Sequence, residues 1–279
     1  MSFQKITKSL FLLSILLFSN NVLAEQTLVL ARAPQLSPAV TSKLWTPFIQ
    51  HLSATTGIKI DLKVYTTRDA FEKDITKGNV DLYFGNPGYG IIGNQLHGYL
   101  PLIRSDKKLL KGIVVVRKDS PIETIEQLEG KEIAFPGRNS FAASLYLRSI
   151  LKSNFNLNYQ PSFHSGSHDN AYRTVLVGKS IAAGGVTRTL QHEHPKRREQ
   201  LRVIYTTPGM KSHPLMASPK IPLATRKSIQ EAIINLNNDT AGKKLLKSVK
   251  LQKPVIANYE TDYKPIEALA TQMYSFLLN

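Results

Sequence analysis

The chain has no cysteine. Disulfides, thiolate metal sites and a cysteine-borne lipid anchor are therefore excluded. Acidic residues are scarce: 20 Asp and Glu stand against 36 Lys and Arg, a formal net charge of +16. A basic excess suits nucleic acid, an anionic surface or a small anionic ligand. Here the basic residues are scattered, as in Lys107-Lys108, Lys196-Arg197-Arg198 and Lys243-Lys244. Each cluster reads as solvated surface, and the general positive field favours capture of anions. HExxH, GxSxG and P-loop motifs are all missing, so no motif supports an enzyme. No cofactor is expected. Beyond the N-terminus, no apolar run reaches the ~20 residues that a membrane-spanning helix needs.

The N-terminus carries Lys5 and Lys8, the apolar run Leu10 to Phe18, and then Val22-Leu23-Ala24. A charged start, a short apolar stretch and small residues at a cut site describe a secretory signal peptide over residues 1–24. The expected location is the periplasm. An exported protein rarely meets nucleic acid, so a nucleic-acid partner is not expected.

Apolar patterning along the chain alternates between strand and helix periods. Gln26 to Ala31 reads as a strand, Val40 to Leu52 as a helix and Ile58 to Tyr65 as a strand. A helix follows, with Asp69 or Thr67 as its cap, then a strand over Val80 to Phe84 and a glycine-rich exit over Gly85 to Gly90. This order implies a parallel sheet covered by helices on both faces. Ligands bind at the carboxyl ends of such strands. Residues 110–117, 132–135, 181–183 and 201–205 form a second strand set. Helices are expected over 140–151, from Ser167 to about Val177 and over 190–194. The last third, with helices at 223–237, 240–248 and 263–277, is expected to complete the first unit.

Phe163 to Thr187 is the most informative stretch. Ser167 is placed to cap a helix whose first turn holds Asp169, where negative charge suits the helix dipole. Gly184-Gly185 removes side chains at a strand end, so a ligand or backbone can approach. Gly-Ser-His-Asp at a helix start followed by a Gly-Gly strand exit resembles the phosphate/phosphite/phosphonate-binding proteins of ABC importers. Three further segments agree in order and spacing: Trp45-Thr46-Pro47-Phe48, Val80 to Pro87, and Ala134-Phe135-Pro136 with Ser140 to Ser144. The resemblance implies an α/β, type II periplasmic binding fold with two α/β lobes and a ligand cleft between them. Lobe I would comprise 25–115 and 213–279, and lobe II 116–212. The crossings would fall near Gly112 to Lys118 and His213 to Ser218, and the lobes would close by hinge motion.

The ligand-site candidates are Arg68, Phe84, Asn86, Tyr89, Asn139, Ser140, Phe141, Ser167, His168, Asp169, Thr187 and His213. Arg68 follows a strand, where a guanidinium can hold an oxyanion with two hydrogen bonds; the plain alternative is a solvated arginine. Asn139 and Ser140 either cap a helix or hold an anion with the free N–H groups there. The family's phosphonate binders carry Ser-Thr-x-Gly where this chain has Asn139-Ser140-Phe141-Ala142. Phe141 suggests an apolar wall. Ser167, His168 and Asp169 are consecutive, so they do not form a catalytic triad. His168 either reaches a phosphoryl oxygen or is structural. Phe84, Asn86 and Tyr89 sit at a strand exit, with Asn86 the best hydrogen-bonding candidate. Thr187 follows the Gly-Gly exit. His213 stands where phosphonate binders have an acid for the ligand's amino group, which favours a simple oxyanion over an aminophosphonate. His192 and His194, with His164, His168 and His213, lack a carboxylate at metal-ligand spacing, and no metal site is expected. The expected function is capture of a small oxyanion by a monomer that delivers it to an ABC permease. The alternative is a ligand sensor acting on a membrane sensor kinase.

Overall fold

The computed structural model describes residues 27–163 and 167–275. The expected signal peptide and the loop residues His164 to Gly166 lie outside the described residues.

Two sheets organise the chain. The first begins with β1 (Leu28–Arg32), α1 (Pro38–Thr56), β2 (Ile60–Val64), α2 (Arg68–Lys77), β3 (Leu82–Phe84), α3 (Pro87–His97) and β4 (Leu100–Ser105). The second is built from β5 (Gly112–Arg117), β6 (Glu132–Phe135), α4 (Leu147–Phe155), β7 (Gln160–Phe163), α5 (His168–Leu176), β8 (Ala182–Val186), α6 (Thr187–His192), α7 (Pro195–Arg198) and β9 (Leu201–Thr206). The chain then returns to the first through β10 (Pro214–Ala217), α8 (Leu223–Asn235), α9 (Thr240–Ser248), β11 (Pro254–Ile256), α10 (Tyr259–Asp262) and α11 (Glu267–Met273).

The six-stranded sheet has the order β11-β4-β10-β3-β1-β2, and the five-stranded sheet β7-β6-β8-β5-β9. In the first, β1 runs parallel to β2 and β3, while β10 is antiparallel to both β3 and β4. In the second, β6 runs parallel to β7 and β8, while β5 is antiparallel to β8 and β9. The parallel pairs follow from strand–helix–strand crossovers. The antiparallel strands are those that carry the chain out and back.

Three expectations are corrected here. Gly112–Arg117 is a strand of the second sheet and Pro214–Ala217 a strand of the first. The crossings are instead 106–111 and 207–213, joined where Leu110 and Met210 exchange backbone hydrogen bonds of 2.8 and 2.9 Å. Ile113 to Val116 and Leu215 to Ala217 are apolar and buried as paired strands within the sheets. Second, Gly85 to Gly90 is not simply a loop. Asn86 accepts from Tyr89 N at 3.1 Å and caps α3, with Pro87 in its first turn. An Asn-Pro pair is a helix-start signal that outweighs the glycines behind it. Third, the last third completes the first unit with strands as well as the expected helices, since β10 and β11 flank β4.

The first sheet is packed on one face by α1, α8 and α9, through Trp45, Phe48, Leu52, Ile229, Ile233 and Leu246. Its other face carries a mostly aromatic layer, Tyr65, Phe71, Tyr83, Tyr89 and Tyr99, which continues into Phe141 and Tyr146 beside the second sheet. One apolar cluster thus spans both halves. The second sheet has its own layers, Phe135, Leu147 and Leu151 on one face and Ala171, Tyr172 and Val175 on the other. Among the described residues, no helix is long and apolar enough to cross a membrane.

Candidate functional site

The carboxyl ends of β1 and β3 face the helix starts of the second sheet, and two constellations lie along that edge. The first is built on α2 and α3. Thr67 caps α2, accepting from Ala70 N at 3.3 Å, and this sets Arg68 at its first position. Arg68 Nη1 donates to the Asn139 carbonyl of the other half at 2.7 Å and to the Tyr89 hydroxyl at 3.4 Å. The Tyr89 hydroxyl in turn donates to Glu72, a carboxylate 5% exposed. Burial raises the Glu72 pKa, while the Tyr89 hydrogen bond and the Arg68 charge oppose that rise. The result is one polar chain, Glu72–Tyr89–Arg68–Asn139, across the boundary between the halves.

Beside it, Asn86 Nδ2 donates to the Tyr274 hydroxyl at 3.0 Å. The Tyr274 ring sits 5.2 Å from that of Tyr89 and stacks at 6.3 Å on Phe141. The segment after α11 therefore places an aromatic side chain between the two halves. Gly88 makes this possible: a Cβ there would fall 2.3 Å from Tyr274 Cε2 and 3.0 Å from Phe141 Cε2.

The helix that Phe141 opens departs from the expected α-helix. Phe141–Tyr146 is π-helical, and α4 begins only at Leu147. The wider turn carries the Ala142 and Ala143 carbonyls onto β5 and β8. A Cβ on Gly112 would meet Ala142 O at 2.4 Å, and one on Gly184 would meet Ala143 O at 2.5 Å. The Gly184 opening is thus taken by backbone and by the Phe135 ring, and that of Gly185 by the Tyr172 hydroxyl. Ser140 precedes the π-helix, but its hydroxyl makes no cap hydrogen bond. The expected Ser140 side-chain cap is therefore absent, while its carbonyl accepts from Ser144 N and Leu145 N as the helix starts.

At α5, Ser167 does cap, accepting from Asn170 N at 3.4 Å. His168 opens that helix with its Nδ1 buried and without a partner among the described residues, and burial lowers its pKa. Asp169 and Thr187 are exposed, and neither meets the first constellation.

The second constellation lies on the α1 side of β1 and β3. The Arg32 guanidinium, 4% exposed, sits 5.5 Å from the Trp45 ring and 5.1 Å from that of Phe84. It donates to Ala33 O and, at 2.9 Å, to Gln35 Oε1. Lys250 Nζ reaches the same Gln35 oxygen at 3.3 Å, and Gln35 Nε2 lies 3.3 Å from His213 Nε2. His213 stacks on Phe84 at 5.9 Å. Burial, then the Arg32 and Lys250 charges, push the His213 pKa down to about 3. Burial, then Arg32 and Arg188, push Lys250 down to about 8, and burial pushes Arg32 down to about 10.

Sequence reading named Phe84 and His213 but missed Arg32, Gln35, Arg188 and Lys250. Arg32 ends an apolar strand and Lys250 lies in a late loop, so no local pattern joins them. Among the described residues, no group of three or more His, Asp or Glu is placed to hold a metal.

The His213 environment gives a pH prediction. Its folded pKa lies below the ordinary 6.5, so between about 3 and 6.5 the unfolded chain binds more protons. Stability from this group is present above pH 6.5 and is lost as pH falls. His213→Gln should thus gain on the wild type by more than ~1 kcal/mol at pH 4 relative to pH 7 in urea unfolding. An equal difference at both values would overturn this.

Residues 30–263 match the family described as ABC transporter, phosphonate, periplasmic substrate-binding protein. PhnD1 from Prochlorococcus marinus in complex with methylphosphonate is 18% identical with a TM-score of 0.73, covering 90% of this chain and 99% of that one. A Xanthomonas citri protein bound to ATP is 16% identical with a TM-score of 0.76, covering 89% and 98%. The binding protein component of an ABC phosphonate transporter from Pseudomonas aeruginosa is 14% identical with a TM-score of 0.69, covering 89% and 86%. No curated protein matches the sequence. At these identities the structural likeness shows the fold, the two-lobed type II periplasmic binding architecture. The family match over most of the chain goes further: this protein belongs to the phosphonate periplasmic substrate-binding proteins of ABC transporters.

Proposed function

We propose that the protein captures a small oxyanion of the phosphate, phosphite or phosphonate kind between its two lobes and delivers it to an ABC permease. The lobes correspond to the two sheets, hinged at the Leu110–Met210 pair. One observation carries the reading. Arg68, from the first sheet's side, reaches the helix start at Asn139 to Phe141 on the second. A guanidinium facing a helix start offers charge, directed donors and unpaired N–H groups to one anion. In the present arrangement the Asn139 carbonyl accepts from Arg68 and Tyr274 fills the adjoining space. Ligand entry therefore exchanges the Arg68–Asn139 bond for bonds to the oxyanion.

Thermal unfolding with inorganic phosphate, phosphite and methylphosphonate tests this. Binding to the native state alone raises the melting temperature by mass action. At least one of the three should raise it, and a flat response to all at millimolar concentration would sink the reading. Two serine variants refine it. Ser140→Ala should weaken binding while leaving the unfolding temperature of the empty protein unchanged, because its hydroxyl caps nothing. Ser167→Ala should cost ~1 kcal/mol of stability, because its hydroxyl is a cap. Reversed behaviour of the two would remove Ser140 from the site.

A further inference from the structure

The Arg32 constellation is a concentration of cations with no ion-pair partner among the described residues. Among the described residues, none of Arg32, Arg188 and Lys250 forms an ion pair, although other arginines here do so readily, such as Arg104 with Asp106 and Asp262. Arg32 is almost fully buried, and its Nε has no hydrogen-bond partner. Its other nitrogens donate only to neutral oxygens. A buried cation without an anion costs several kcal/mol, and a second and third cation nearby add to that cost. Folding alone gives no reason to gather them. The cluster also draws on both sheets: Arg32, Gln35 and Lys250 come from the first, while Arg188, whose charge acts on Lys250, is the second residue of α6, after β8 of the second.

We propose that Arg32, Gln35, Lys250 and Arg188 form an anion subsite, separate from the Arg68 end of the cleft, that takes a dianionic phosphoryl group. Arg32 and Lys250 hold the group from one lobe and Arg188 meets it from the other. Arg32 supplies the free Nε, and Gln35 orients both cations through its Oε1. The three cations call for more than one negative charge. Trp45, Phe84 and His213 wall the site with rings, leaving the group few competing acceptors. Arg32 and Phe84 are register partners on β1 and β3, whereas Tyr83 turns to the opposite face with Tyr89 and Tyr274. The two cationic places therefore lie on opposite sides of the strand ends. A ligand with two acidic groups can engage both.

Because Arg32 is packed between rings, the test uses the two cations outside that packing, Arg188→Gln and Lys250→Gln. Inorganic phosphate and pyrophosphate are titrated calorimetrically into wild type and both variants, and the empty proteins are melted. Each variant should bind pyrophosphate at least tenfold more weakly, while its empty form melts at the same or a higher temperature because a repelling charge is gone. A merely structural role moves the melting temperature the other way. Wild type should also take up a proton on binding at pH 8, where Lys250, facing Arg32, Gln35, Arg188 and His213, is only part-protonated. Lys250→Gln should not. Unchanged pyrophosphate affinity in both variants overturns the proposal and leaves the oxyanion reading of the Arg68 end standing, which Arg68→Ala tests separately. Absence of binding by wild type to either anion overturns the subsite as well.

Discussion

Arg68→Ala should weaken methylphosphonate binding by about 10- to 100-fold, with Arg68→Lys recovering part of the loss. A hydrogen bond to a charged group contributes roughly 1.5–3 kcal/mol, and each ~1.4 kcal/mol is a factor of ten in affinity. Arg68 holds its position through Tyr89, which Glu72 anchors from a buried site. The guanidinium is thus pre-arranged, and little ordering is left for the ligand to induce. Lysine keeps the charge but loses the planar fork, so its recovery should be incomplete. Isothermal titration of the three proteins decides it. Equal affinities would show that Arg68 only ties the lobes through Asn139 and that the oxyanion binds elsewhere.

Gly184→Ala should destabilise the protein by about 1–3 kcal/mol and also weaken binding. The added methyl would lie 2.5 Å from the Ala143 carbonyl and 2.7 Å from Phe135 Cδ1. Neither can yield cheaply: the first is backbone of the π-helical turn, and the second is a fully buried ring. Relief requires Phe141–Tyr146 to lift from β8, which moves the helix start that Arg68 faces. For a chain of this size, 2–4 °C is lost per kcal/mol, so the melting temperature should drop by roughly 2–12 °C. Gly130→Ala makes no contact but carries the strain of a left-handed backbone, φ +70°. It should lower the melting temperature without altering affinity. If Gly184→Ala binds as tightly as wild type, the π-helical turn does not shape the site.

The order of strands and helices was legible in the sequence because it rests on local signals, whereas the type II arrangement was implied by the family resemblance. Alternating apolar strands and amphipathic helices, with Thr67 and Ser167 as caps, give the strand–helix order. That order dictates parallel pairing and places the ligand edge at the strand ends. Arg68, Asn86, Tyr89, Asn139 and Phe141 were named from that edge, and the structure brings them together. Local signals could not show which neighbour fills a space. Gly184-Gly185 looked open to a ligand or to backbone; only packing decided that the Ala143 carbonyl, Phe135 and Tyr172 occupy it. Nor could they show that Tyr274 bonds Asn86, since 188 residues separate them. Arg32, Lys250 and Arg188 belong to three distant segments, and each by itself is an ordinary basic residue. The sequence determined that there are strand ends and helix starts to face one another. The tertiary structure decided which charges meet across them, because Coulomb interactions depend on distance in space and not on separation along the chain.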